Sequence, residues 1–279
     1  MNSRLTVAAK ATYKEVMEDC LDTVIPIDPL TVAADTGRSI LESGGETYRA
    51  EKAVVSLCSR WGLVDSQCFA TPTGLMASAT TVQGQGLSLV RRVTRRSVDL
   101  SRIGRLAEAV EREETRPLGP EQFRSILIRL NNQRPYPLYG TLLAAGVGSF
   151  FFTLLFRGSL GDAFSAFFVG LGIKLSLIIS SRYALPDFIA NLMGGSVAAL
   201  ISLLFGWIFP QIHGDTVIIG AVMLLVPGLA TVNAIRDTIA GDLVAGGARL
   251  ADAVMAAAAI SLGVAFVLSV AGTIERIHP

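Results

Sequence analysis

The chain has 279 residues, 51% of them hydrophobic, with 24 Lys and Arg against 23 Asp and Glu and a formal net charge of +1. That balance provides no basic field for nucleic acid, and two histidines and three cysteines without ligand spacing predict no metal centre. The average hides a boundary: 18 of the Lys and Arg and 16 of the Asp and Glu lie before residue 138, leaving 6 and 7 beyond it, so a soluble-type half precedes a membrane-embedded one.

Residues 1–29 read as an N-terminal extension. VAAKATYKEVMEDCLDTVI can form a short amphipathic helix that the prolines of IPIDP end. Charges run through this start and no apolar h-region occurs, so it is not read as a signal peptide. The first apolar segment is therefore expected to act as the insertion signal.

Residues 30–137 read as a cytoplasmic α+β domain. Leu30, Ala33, Ala34, Gly37, Ile40 and Leu41 keep helical spacing, as do Ala50, Ala53, Val54, Leu57 and Trp61. Two helices are predicted, broken around Gly44 and Gly45, with Gly62 as a stop. QCFATPTGLMASATT and LSLVRRVTRR, separated by VQGQG, predict a hairpin or small sheet. Arg91, Arg92, Arg95 and Arg96 form the densest basic cluster, which fits a solvated strand end or a patch facing a membrane surface or a substrate. No aromatic platform interleaves with it, as single-stranded nucleic acid would need. Two further amphipathic helices are expected, one in VDLSRIGRLAEAVEREE capped by Asp99 and one in EQFRSILIRLNNQ.

Residues 138–274 read as a transmembrane domain of five helices, at about 138–156, 161–180, 185–210, 215–237 and 251–274. The fold class is thus a polytopic α-helical membrane protein with an N-terminal cytoplasmic α+β domain. Basic residues at Arg124, Arg129 and Arg134 place the N-terminus inside, and five spans then place the C-terminus outside, in the periplasm or beyond. Small residues recur through the spans, as close helix packing needs.

Polar groups at membrane depth are the candidates for function. Lys174 either snorkels to the interface or faces a polar cavity. Asn191 either bonds a neighbouring helix or contacts a substrate, Asp187 is placed to cap a helix, and His213 reads as a solvated loop residue. In LLVPGLATVNAIRDTIAGD, Pro227 and Gly228 predict a kink or break in the fourth span. A broken membrane helix frees backbone groups that can hold substrates and ions. Beyond the break, Asn233, Arg236 and Asp237 fall on one side of a continuing helix, and Asp242 extends the polar tract. No hydrolase, redox or phosphate-loop motif occurs, so neither an enzyme nor a cofactor is expected.

PGLATVNAIRDTIAGDLVAGGARLADAV, with GETYRAEKAVVSLCSRWG and RRVTRRSVDLSRIGRL upstream, resembles the threonine/serine exporter family. The likeness runs over roughly residues 30–272. It implies a secondary exporter of the bacterial inner membrane, coupled to protons, moving small carboxylate-bearing metabolites: threonine and serine, or a dicarboxylate such as succinate. Larger members of the family carry about ten spans, so the resemblance also implies that a separate small multi-span membrane subunit supplies a second module. Arg236 or Lys174 would then attract a carboxylate, Asn233 would bond the substrate, and Asp237 or Asp242 would meet an ammonium or carry a proton. A non-transporting regulatory or assembly subunit is the alternative.

Overall fold

A computed structural model describes residues 28–94, 97–132 and 136–277. The extension helix expected within residues 1–29, the cluster arginines Arg95 and Arg96, and Arg134 lie outside that description, apart from Asp28 and Pro29. Helices α1 (Pro29–Glu42) and α2 (Thr47–Arg60) lead into strands β1 (Val64–Thr71), β2 (Gly74–Thr80) and β3 (Gly86–Arg92). Helices α3 (Leu100–Thr115) and α4 (Pro120–Asn132) complete this helix–sheet unit. The strands form an antiparallel meander in the order β1-β2-β3. On β2, Leu75, Ala77 and Ala79 alternate inward against the helices, as the pleat requires.

The core of this unit is apolar and closely matched. Leu30, Val54, Leu57, Leu75, Leu106 and Phe123 are fully buried, and Trp61 meets Phe123 edge to face at 5.5 Å. Glu113 is buried but satisfied: its carboxylate accepts from Trp61 Nε1 at 2.9 Å and from the amides of Leu118 and Gly119 at 3.1 Å, tying α3 to the turn before α4. Burial pushes the thiols up, Cys58 to about 11 and Cys68 to about 12, so neither is a nucleophile at neutral pH. In the basic cluster, Arg91 reaches back to Asp35 of α1 at 2.9 Å, which spends one of its charges within the fold.

The second half is a bundle of α5 (Leu138–Leu155), α6 (Leu160–Arg182), α7 (Asp187–Ile208), α8 (Gly214–Val222), α9 (Gly228–Ile239) and α10 (Leu243–Ile277). Four described helices, α5, α6, α7 and α10, are long and apolar enough to cross a membrane. The fourth expected span, 215–237, is instead two short helices separated at residues 223–227. Pro227 lacks the N–H that would continue the ladder and disfavours helix at Val226. Neither half, at 9 and 12 residues, reaches a hydrocarbon core of about 30 Å. The last helix also differs from its expected start at 251. Gly241, at φ +92°, closes the end of α9, and Asp242 caps α10 through the amide of Ala245 at 3.3 Å. Nothing after Asp242 breaks a helix, so Arg249 lies inside α10 rather than in a connection.

The bundle core mixes small and branched side chains: Ala166, Val169, Ile173, Ala198, Val217 and Ala221 are fully buried. Large apolar residues such as Phe151, Phe164 and Trp207 stand exposed on the outside, the arrangement of a bundle solvated by lipid. At the end opposite the helix–sheet unit, Asp162 completes a capping box with Ser159 at the start of α6 and accepts from the amide of His213 at 2.7 Å. His213 is thus anchored through its backbone, although its ring is largely exposed. Helices α7 and α10 approach most closely at Gly195 and Gly263. A Cβ on Gly195 would stand 2.5 Å from the carbonyl of Ile260, and one on Gly263 would run into the carbonyl of Leu192. Replacing Gly263 by leucine is expected to force the helices apart at a cost of about 1–3 kcal/mol, read as a lower melting temperature of the purified chain in detergent.

Candidate functional site

The end of α1 sets the geometry of the site. Gly44, at φ +84°, lets the chain turn so that its own amide bonds Leu41 at 3.0 Å and the amide of Gly45 bonds Ile40 at 2.9 Å. This Schellman turn takes both amides into the helix end. The carbonyls are left for partners on the membrane bundle. Asn233 Nδ2 of α9 donates to Gly44 O at 3.0 Å, and Arg249 Nη2 of α10 donates to Gly45 O at 2.6 Å. The next two residues follow suit. Glu46 takes the guanidinium of Arg236, and Thr47 Oγ1 donates to Asp237 Oδ1 at 2.8 Å. Four consecutive residues, 44–47, therefore grip four side chains nearly 200 positions away.

Behind that grip lies a buried ion pair. Asp237 Oδ2 and Arg249 Nε stand 2.8 Å apart, and the two side chains are 2% and 10% exposed. The approach is off the N–H axis, so the attraction is Coulombic rather than an aligned hydrogen bond. Asp237 is thus engaged at both oxygens. Glu46 also meets Arg49 Nε at 2.8 Å. Burial pushes the Glu46 carboxyl up, but the two guanidiniums outweigh it and hold the group below its ordinary value of 4.5. Glu51, on the next turn of α2, behaves oppositely. Burial raises it above 4.5, the amide of Ala70 opposes, and the charges of Asp242 and Asp237 add to the rise.

Where α8 gives way to α9, a cavity of ≈ 630 Å³ opens between the helix–sheet unit and the bundle. Pro227, Gly228, Asn191, Asn233 and Arg249 line it. So do Asp187, at the start of α7, and Asp252 of α10. Leu229 and Ala230, in the first turn of α9, also belong to the wall, and Pro227 offers no side-chain bond to cap that turn. That helix end supplies partial positive charge. A second depression, ≈ 580 Å³ on the open face of the sheet around Phe69, Met76 and Val90, has no charged lining residue.

The sequence candidates divide accordingly. Asn233 and Asn191 reach the cavity, and Pro227 and Gly228 form its break. Arg236 and Asp237 bind the loop at Glu46 and Thr47 and stay out of the cavity wall. Asp242 is a helix cap, and Lys174 is half-buried on α6 away from that wall. Sequence reasoning placed a helix break around Gly44 and Gly45 and met Arg249 in the polar tract after Asp242, but gave the Gly44–Thr47 loop, Arg249 and Asp252 no role in the site. The one local signal for the loop was the Gly-Gly-Glu-Thr run between two helices, which predicts a turn but names no distant partner.

Four apolar helices, a broken fifth element and a polar cavity at the break define a multi-pass membrane protein. A family model described as "Putative threonine/serine exporter" matches residues 31–271. The chain belongs to that threonine/serine exporter family. It is 27% identical over 229 residues to a protein named "Probable threonine/serine exporter" from Mycobacterium tuberculosis (strain ATCC 25618 / H37Rv). That likeness covers 81% of this chain but 43% of the relative. No solved structure matches the chain.

Asp237→Asn leaves Arg249 buried without its counter-charge, and a loss of about 3–5 kcal/mol is expected. Arg236→Ala, at a largely exposed side chain, should cost less than about 1 kcal/mol; comparing the two melting temperatures in detergent checks the order. The grip should also loosen in acid. Because the Glu46 pKa is lowered, its contribution is complete above 4.5 and is lost as pH falls through the folded value. Glu51 contributes with the opposite sign, below its ordinary value, and loses its effect as pH rises. Spin-label distances between α2 and α10 should therefore broaden below pH 4.5 in the parent, with that acid-dependent step absent from Glu46→Gln.

Proposed function

We propose that this chain is the substrate-holding part of a secondary exporter of threonine and serine in a bacterial inner membrane. The helix–sheet unit faces the cytoplasm, next to the basic residues Arg124 and Arg129. The observation that carries this reading is the cavity at the break between α8 and α9. It has side-chain donors for a carboxylate at Asn233 and Arg249, and it has the carboxylates of Asp187 and Asp252 to attract an ammonium. A small amino acid carries both groups. A dicarboxylate would bring two negative charges to a wall whose one guanidinium is already paired with Asp237 and which adds two carboxylates. Charge balance thus favours the amino acid over succinate.

Proton coupling is assigned to Asp187 and Asp252, the titratable groups in the cavity wall. The chain acts with a second membrane module, corresponding to the part of the relative that it does not span, whether on a separate subunit or not. The engagement of Asn233, Arg236, Asp237 and Arg249 with the helix–sheet unit favours a second reading, a regulatory or assembly subunit. Reconstitution of the chain with and without its second module, assayed for serine efflux, separates the two. Under the export reading, Asp252→Asn raises the KM for serine about tenfold, equivalent to about 1.4 kcal/mol, and flattens the pH profile of efflux. Unchanged KM and pH profile in both Asp252→Asn and Asp187→Asn would sink the assignment.

A further inference from the structure

Asn233 and Arg249 line the cavity, yet each is already bonded to an oxygen, and both oxygens belong to the protein's own backbone. The acceptors are the carbonyls of consecutive residues, Gly44 and Gly45. Two neighbouring carbonyl oxygens, met by an amide and a guanidinium, occupy the same donors that the two oxygens of a carboxylate would need. The turn at the end of α1 makes this possible, because it bonds the Gly44 and Gly45 amides into the helix end while their carbonyls accept from the bundle. Gly44 itself forms part of the cavity wall, together with Leu41, Ser97 and Val98 of the same unit. The rest of the grip, Glu46 on Arg236 and Thr47 on Asp237, lies outside that wall.

We propose that the Gly44-Gly45 turn is a built-in occupant of the substrate's carboxylate site, so that docking of the helix–sheet unit and binding of a carboxylate-bearing substrate exclude each other. The proposal rests on the export reading and adds the regulation of that same site. The turn must leave Asn233 and Arg249 before a substrate carboxylate can take them, while Asp237 keeps the guanidinium in place through Nε. Glu46 and Thr47 set the strength of the latch without touching substrate. A tighter latch leaves a smaller fraction of chains competent to bind, and apparent affinity falls by that fraction.

The test uses the full chain in lipid nanodiscs, as wild type, Glu46→Gln, and Glu46→Gln with Thr47→Ala. Radiolabelled serine binding is titrated, and hydrogen exchange at the amides of residues 44–47 is followed in parallel. Serinol, which lacks the carboxylate, is the control. Whichever variant shows faster exchange at 44–47 serves as the released form. The released form is expected to bind serine about three- to tenfold more tightly than wild type. Saturating serine, but not serinol, is expected to speed exchange at 44–47 in wild type. Equal affinity in wild type and released form overturns the proposal and leaves the export reading standing. Weaker binding by the released form also overturns it, since the turn would then support the site rather than fill it. Absence of serine and threonine binding in both forms overturns this proposal and the export reading together.

Discussion

Asp237 and Arg249 are the pair on which the junction of the protein depends. Each is buried in a place where a lone charge would be costly, so each is held to the other and to a third group. Asp237 uses its second oxygen on Thr47, and Arg249 uses its second donor on Gly45. The pair thereby fixes α9 to α10 and both helices to the loop between α1 and α2. Remove it and the cavity loses its guanidinium and the loop loses its anchors at Gly45 and Thr47, leaving the bonds of Asn233 to Gly44 and of Arg236 to Glu46 to hold the junction.

The break at Pro227 has the complementary part. A continuous fourth span would satisfy its backbone polar groups in its own ladder. Ending α8 at Val222 and restarting at Gly228 interrupts the span and places residues 224–230 in the cavity wall. The first short helix, α8, packs among α5, α6 and α7, while α9 packs on α10 and meets the loop between α1 and α2.

Much of this was readable from residue order because its causes are local. Helical spacing in Leu30–Leu41 and Ala50–Trp61, the strand-like runs around ATPTG, and the Pro-Gly break each follow from a few neighbouring residues. The start of α10 was misread because the polar tract from Asp242 to Arg249 looks like a loop by composition. In the fold, Asp242 is a cap, and Gly246 lies within the helix where α9 packs closely against it. Periodicity had also placed Asn233, Arg236 and Asp237 on one side, but not what that side meets. Partners separated by 189 to 204 positions leave no trace in spacing, so Glu46 and Thr47 passed for an ordinary helix start.

The length of α10 has a mechanical consequence. Its 35 residues make a rod of about 52 Å, well beyond a hydrocarbon core of about 30 Å, with no proline along it. Arg249 rides near one end, and Gly263, wedged against α7, lies about 21 Å further along. A rod without a joint cannot absorb displacement in between. Any tilt imposed on it at the Gly45 carbonyl must reappear, scaled by lever-arm geometry, at the glycine fulcrum deep in the bundle.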